Sequence, residues 1–239
     1  MSESISTPRR GLSGTALKYI ACLSMLLDHI GASCLEAGLL QGSSSPILLQ
    51  LDTALRLIGR LAFPIYCFLL VEGFVHTHDV RRYFRRLLLF GLVSEIPFDL
   101  AFFRTPFYWG HQNVYWTLSL GVLALMALRH FETPDGHAEW RGLACAFGCA
   151  ALALLAATDY DAIGVLIICA LYLTRNDRRL QCIAGAVLFA FELTAPLAFV
   201  SLWFYNGQRG RCSRTLQKVF YWFYPVHLAL LAAITNLLL

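Results

Sequence analysis

TALKYIACLSMLLDHIGASCLEAGLL, residues Thr15–Leu40, decides the fold class. It is a long apolar run with Lys18 near its start and an Asp28-His29 pair in its middle. A signal-peptide core is shorter, and no small-x-small cleavage site with polar mature sequence follows. The stretch therefore reads as a retained transmembrane helix, and a secreted soluble protein is excluded. The rest of the chain agrees. Of 239 residues, 58% are apolar or aromatic and 14% charged, where a soluble domain carries roughly 25% charge. Mean hydropathy is +0.60, which leaves too little polar surface to cover one water-soluble globule. Disordered chains are hydrophilic and poor in aromatics, so disorder is excluded too.

Working outward, further spans are predicted at Leu55–His76, Tyr83–Phe103, Asn113–Arg129, Arg141–Ala157, Tyr160–Leu173 and Val219–Leu237. The run Leu180–Tyr205 reads as one long span or as two short ones turning near Glu192–Pro196. The positive-inside rule selects two. The loops at Arg81–Arg86, Arg129–Arg141, Arg175–Arg179 and Arg209–Lys218 then share a side with Arg9 and Arg10, which places 15 of the 19 Lys and Arg in the cytoplasm. The predicted fold is an all-α polytopic bundle of about nine helices, with eight as the alternative, and a cytoplasmic N-terminus. Residues 1–13 form a tail and residues 14–239 one transmembrane domain.

Ionisable residues inside such spans are costly and point to function. Asp28 and His29 follow ten residues after Lys18, which puts them ~15 Å deep, near mid-membrane. Arg56 and Arg60 are four apart on one face, as are Glu72 and His76, and Glu95 and Asp99. Gln112 and Asn113 open one span, and His227 follows Tyr224 and Pro225 in the last. His29, Arg60, Glu95 and His227 fall at comparable depth, so a polar cavity inside the bundle is expected. A purely structural reading pairs Arg60 with Glu95, or Asp28 with Arg60, to fix helix register. Two histidines, two arginines and three carboxylates exceed what one such pair needs. Histidine titrates near neutrality and can take and return a proton.

The basic loops suit phosphates or anionic headgroups, and Gly207 and Gly210 would let the backbone approach a phosphate closely. No Walker or Rossmann pattern is present, and no nucleic-acid partner is expected. Of the eight cysteines, Cys22, Cys67, Cys145, Cys149, Cys169 and Cys182 sit in apolar runs and are expected to pack as small hydrophobes. No zinc spacing or disulfide framework is legible, so no metal is expected.

LKYIACLSMLLDHIG at Leu17–Gly31 resembles the first helix of the TraX family, named after the conjugative-plasmid protein that N-acetylates F-type pilin. The likeness continues through GRLAFPIYCFLLVEGFVHT at Gly59–Thr77, YFRRLLLFGLVSEIPFDL at Tyr83–Leu100, QNVYWTLSLG at Gln112–Gly121, YNGQRG at Tyr205–Gly210 and FYWFYPVHLALL at Phe220–Leu231. The resemblance implies a bacterial inner-membrane acetyltransferase that takes its acetyl group from cytoplasmic acetyl-CoA. The acceptor would be an amine or hydroxyl, with a pilin N-terminus among the possibilities. Membrane lipids are the remaining partner. The family's polar positions fall here on Asp28, His29, Arg60, Glu72, Glu95, Asp99, Asn113 and His227.

On this reading the nucleotide end of acetyl-CoA meets Arg81, Arg85, Asn206, Arg209 and Lys218, and the pantetheine arm threads toward His29. His29 acts as base or transient acetyl carrier, with His227 competing for the role. Arg60 or Asn113 stabilises the oxyanion. Glu95 and Asp99 orient His29 or bind an ammonium, and Glu72 joins Asp99 in substrate binding. Two other classes stay open. One is a small proton-coupled transporter, which the absence of an internal repeat disfavours. The other is a non-catalytic assembly protein.

Overall fold

The computed structural model describes residues 11–41 and 45–238, so Arg9 and Arg10 lie outside the described residues. The described chain is helical. Its α-helices are α1 (Gly14–His29), α2 (Pro46–Gly59), α3 (Ala62–His76), α4 (Val80–Phe102), α5 (Val114–His130), α6 (Trp140–Leu155), α7 (Asp161–Leu173), α8 (Arg178–Leu188), α9 (Ala198–Trp203) and α10 (Arg214–Leu238). Side-chain caps fix several starts. Ser13 accepts from the amide of Ala16, Asp79 from Arg82, Asn113 from Tyr115, and Asp177 from Arg179 and Leu180. Each cap satisfies an amide that the helix itself leaves unpaired.

The elements run alternately between a basic end and an opposite end. Leu12 pairs with Tyr205 at the basic end, and Gln112 pairs with Thr158 at the other. Residues 11–13, expected in a tail, are thus tied to the segment after α9. The amide of Leu12 donates to the Phe204 carbonyl at 2.9 Å, and that of Asn206 donates to the Leu12 carbonyl at 2.9 Å. α1 packs on α2, α3 and α10, α4 on α5 and α10, and α5 on α6 and α7.

Three expectations change. The first long run is α-helical only to His29 and continues as a π-helix over Ile30–Glu36. The second begins earlier than expected and is broken at Arg60–Leu61 into α2 and α3. Pro64 lies in the first turn of α3 and has no N–H for the Arg60 carbonyl, and the helix breaks there, whereas α4 and α10 run through Pro97 and Pro225. The run Leu180–Tyr205 does turn near Glu192, but α8 and α9 rise only ~16 Å and ~9 Å, too short to cross a ~30 Å apolar core. They form a hairpin that enters and leaves at the basic end.

Two helical stretches, Pro46–His76 and Arg214–Leu237, are long and apolar enough to cross a membrane, while α5, α6 and α7 are apolar but shorter. Large apolar side chains also cover the outside. Leu23, Ile47, Leu92, Phe147, Leu155 and Leu230 are exposed. Cys145 joins them, while the other five cysteines expected in the interior are buried.

Candidate functional site

A cavity of about 520 Å³ lies among α1, the α2–α3 break, α4, α5, the α6–α7 loop and α10. Its wall includes Asp28, His29 and Glu36 from the first run, and Arg56 and Arg60 from either side of the turn that ends α2. Tyr66, Tyr115 and Tyr224 line its middle, His111, Asp159 and Tyr160 its opposite end, and Phe220 its basic end. Lys18 Nζ stands 5.7 Å from the centre of the Phe220 ring. The cavity thus runs from the foot of the basic rim to the far face.

His29 forms part of this wall, and its Nδ1 lies 2.7 Å from Nε2 of His227. His227 Nδ1 lies 2.6 Å from the Phe223 carbonyl oxygen. The two imidazoles are 10° from parallel with centroids 4.9 Å apart, the separation expected of rings joined edge to edge by that hydrogen bond. Phe102 and Tyr224 stand edge-on to His29 at 5.3 and 5.8 Å.

The two arginines are held by carboxylates. Arg56 Nη1 donates to Asp28 Oδ2 at 2.7 Å, and its Nε lies 3.2 Å from Glu36 Oε1. Arg60 Nη1 donates to Glu192 Oε1 at 3.2 Å, and Tyr160 donates to the same oxygen at 3.3 Å. Neither expected pair, Arg60 with Glu95 or Asp28 with Arg60, is formed. Glu192 at the tip of the α8–α9 hairpin was legible only as a turn residue. A carboxylate in an apolar run was the available signal. Gly59 makes the Asp28 contact possible, since a Cβ there would lie 2.3 Å from Asp28 Cβ.

At the opposite end His111 Nε2 lies 3.7 Å from Asp159 Oδ1, and that carboxylate raises the His111 pKa above its ordinary value. The α6–α7 loop is strained to place Asp159 and Tyr160. Ala157, Tyr160 and Asp161 have φ of 49°, 63° and 42°. Such conformations persist only where the surroundings over-determine them. Here Gln112 brackets the loop, its amide bonded to the Ala157 carbonyl and its carbonyl to the Asp159 amide, both at 2.9 Å. The Tyr160 ring stacks on Phe63 at 3.6 Å.

Several expected site residues are placed elsewhere. Glu95 accepts from Asn113 Nδ2 at 2.5 Å and Trp116 Nε1 at 2.6 Å, outside the cavity wall. Asn113 also donates to the Gly91 carbonyl and caps α5, so its amide is spent on joining α4 to α5. Asp99 accepts from the Tyr108 amide at 2.8 Å and holds the α4–α5 loop. Glu72 meets Arg178 at 3.5 Å near the basic end, away from His29.

Arg81 lines a second, more open cavity of about 620 Å³ with His76, His78, Arg129 and His130. Arg85 and Lys218 are exposed. Asn206 and Arg209 use their backbones to tie down the start of α1, the Arg209 carbonyl accepting from the Thr15 hydroxyl at 2.8 Å and the Asn206 amide donating to the Leu12 carbonyl. None of the expected nucleotide-binding set lines the first cavity.

The TraX family, described as TraX protein, matches residues 13–235. A curated relative, the probable fimbrial assembly protein FimC, serogroup H1, of Dichelobacter nodosus, is 30% identical over 248 aligned residues, covering 92% of this chain and 95% of that protein. No solved structure matches.

Proposed function

The chain belongs to the TraX family, and from that premise we propose that it is a multi-pass inner-membrane acyltransferase. It would move an acetyl group from cytoplasmic acetyl-CoA to an amine, with a pilin N-terminus as the leading acceptor. The observation that supports this reading is the cavity that joins the basic end to the opposite face with His29 in its wall.

The residues present fit the donor. Lys18, over the Phe220 ring that lines the basic end, would offer a cation to a phosphate. Phe220, Tyr224, Leu118 and Met25 offer an apolar path for the pantetheine arm. They also fit an amine acceptor. Arg56 and Arg60 already hold carboxylates, and Asp159 faces only the partial positive charge of His111, so the far half of the cavity favours a cation over an anion. His29 Nε2 would take the acceptor's proton. Arg60 is in the wall and is the better candidate for the oxyanion than Asn113.

Purified protein given acetyl-CoA and a panel of amines, including a pilin amino-terminal peptide, is expected to release CoA thiol. The His29→Ala variant is expected to lose that release while keeping its size-exclusion profile. Near-normal turnover by His29→Ala would remove His29 from the mechanism, and no thiol release by the wild-type protein with any acceptor would remove the acyltransferase reading. The printed name of the Dichelobacter relative favours a second reading, an assembly factor that handles pilin without chemistry. Pilin binding with no thiol release by the wild-type protein supports that one.

A further inference from the structure

We propose that His227 is a positioning residue that holds His29 in one tautomer, so that His29 Nε2 works as a closed proton shuttle. The inference rests on the acyltransferase reading above.

A carbonyl oxygen only accepts, so the 2.6 Å contact with Phe223 places a proton on His227 Nδ1. In the neutral ring the other nitrogen then carries a lone pair. That nitrogen, Nε2, lies 2.7 Å from His29 Nδ1, so His29 Nδ1 carries the proton between them. The remaining nitrogen of His29, Nε2, is left unprotonated on the ring that lines the cavity, whereas His227 is buried behind it. Two hydrogen bonds in series, the second anchored on the α10 backbone, thus select the tautomer and the orientation of the base. Phe223, 4.7 Å from His227 and 23° from parallel, packs that ring in place.

The chain of hydrogen bonds ends at a backbone carbonyl, which cannot pass a proton on. A proton taken by His29 therefore leaves by the nitrogen that took it. The amine gives its ammonium proton to solvent before it reacts; as the neutral nitrogen then bonds to the thioester carbon, one N–H proton moves to His29 Nε2. The C–S bond then breaks with its electron pair on sulfur. His29 Nε2–H returns the proton to that thiolate, giving the amide, the CoA thiol and His29 as it began. No outside proton, oxidant or reductant is needed.

The wild-type tautomer is read directly from imidazole 15N shifts of labelled full-length protein in nanodiscs at neutral pH. The expected spectrum shows His29 protonated on Nδ1 and bare on Nε2. A proton on His29 Nε2 overturns the proposal without any variant having to fold. In turnover, His227→Leu is expected to lose about 10²–10⁴ in kcat with KM for acetyl-CoA changed only a few-fold. His227→Gln places an amide oxygen where Nε2 stood and is expected to regain at least about tenfold of that loss. Equal kcat for the Leu and Gln variants, or a His227→Leu kcat matching wild type, overturns the positioning role while leaving the acyltransferase reading standing. Normal turnover by His29→Ala overturns the shuttle and leaves acyl transfer standing, whereas no thiol release by the wild-type protein removes both.

Discussion

Each charged side chain in the cavity wall is held by a neighbour, and the pairs differ in what their loss would cost. Arg60 and Glu192 are mostly shielded from solvent, with side-chain exposures of 30% and 12%. Removing one partner of a buried pair leaves an uncompensated charge, which costs more than the pair contributes. Arg60→Leu is therefore expected to destabilise by about 3 kcal/mol, and adding Glu192→Leu should recover part of that, as denaturant midpoints would show. His111 behaves differently because it titrates. Its folded pKa is raised by Asp159, so the pair contributes fully below the ordinary histidine value and is lost as pH rises through the folded value. The difference in melting temperature between wild type and Asp159→Asn is expected to be largest on the acid side and to vanish at alkaline pH. A difference that does not change with pH would contradict the His111 contact.

Element breaks aim these side chains. The second long run breaks at Arg60–Leu61, and Arg56 and Arg60, one helical turn apart, both line the cavity. The change from α to π winding directly after His29 brings Glu36 back toward Arg56. π-helical turns are rare and recur at functional sites. α2 packs closely on α1 at Gly59, where a methyl would overlap Asp28. Gly59→Ala is expected to cost about 1–3 kcal/mol and to lower kcat at least tenfold through the displaced Asp28–Arg56 pair. Stability and turnover measured together would check it. The α8–α9 hairpin reaches only part-way, and its tip delivers Glu192 to Arg60 and anchors by Thr194 donating to the Leu57 carbonyl at 2.5 Å.

Across the whole molecule, the two ends of one cavity present different chemistry. The basic end carries Lys18 above Phe220, and the far end carries the His111–Asp159 pair. If the donor enters at the basic end, Lys18→Met should raise KM for acetyl-CoA several-fold and leave kcat near wild type. Arg85→Ala, altering an exposed residue on the same end, should change neither. A shuttle on one nitrogen also needs donor and acceptor bound together. Initial-rate plots against both substrates are expected to give intersecting lines. Parallel lines with a trapped acetyl-enzyme would show transfer through His29 itself.

The apolar composition, the helical class, the hairpin turn near Glu192 and the polar positions Asp28, His29, Arg60 and His227 that the structure gathers at the cavity were all legible in the chain. Each is a local signal, a hydropathy run or a charge where apolar residues surround it. Their partners were not legible. Asp28 meets Arg56, 28 positions away, Arg60 meets Glu192, 132 away, and His29 meets His227, 198 away. Depth along a helix can be counted from sequence, but the rotation of one helix against another cannot, because packing fixes it. That is why Glu95 and Asn113 join α4 to α5 instead of facing the cavity. It is also why only the tertiary structure could decide which histidine lines the cavity and which stands behind it.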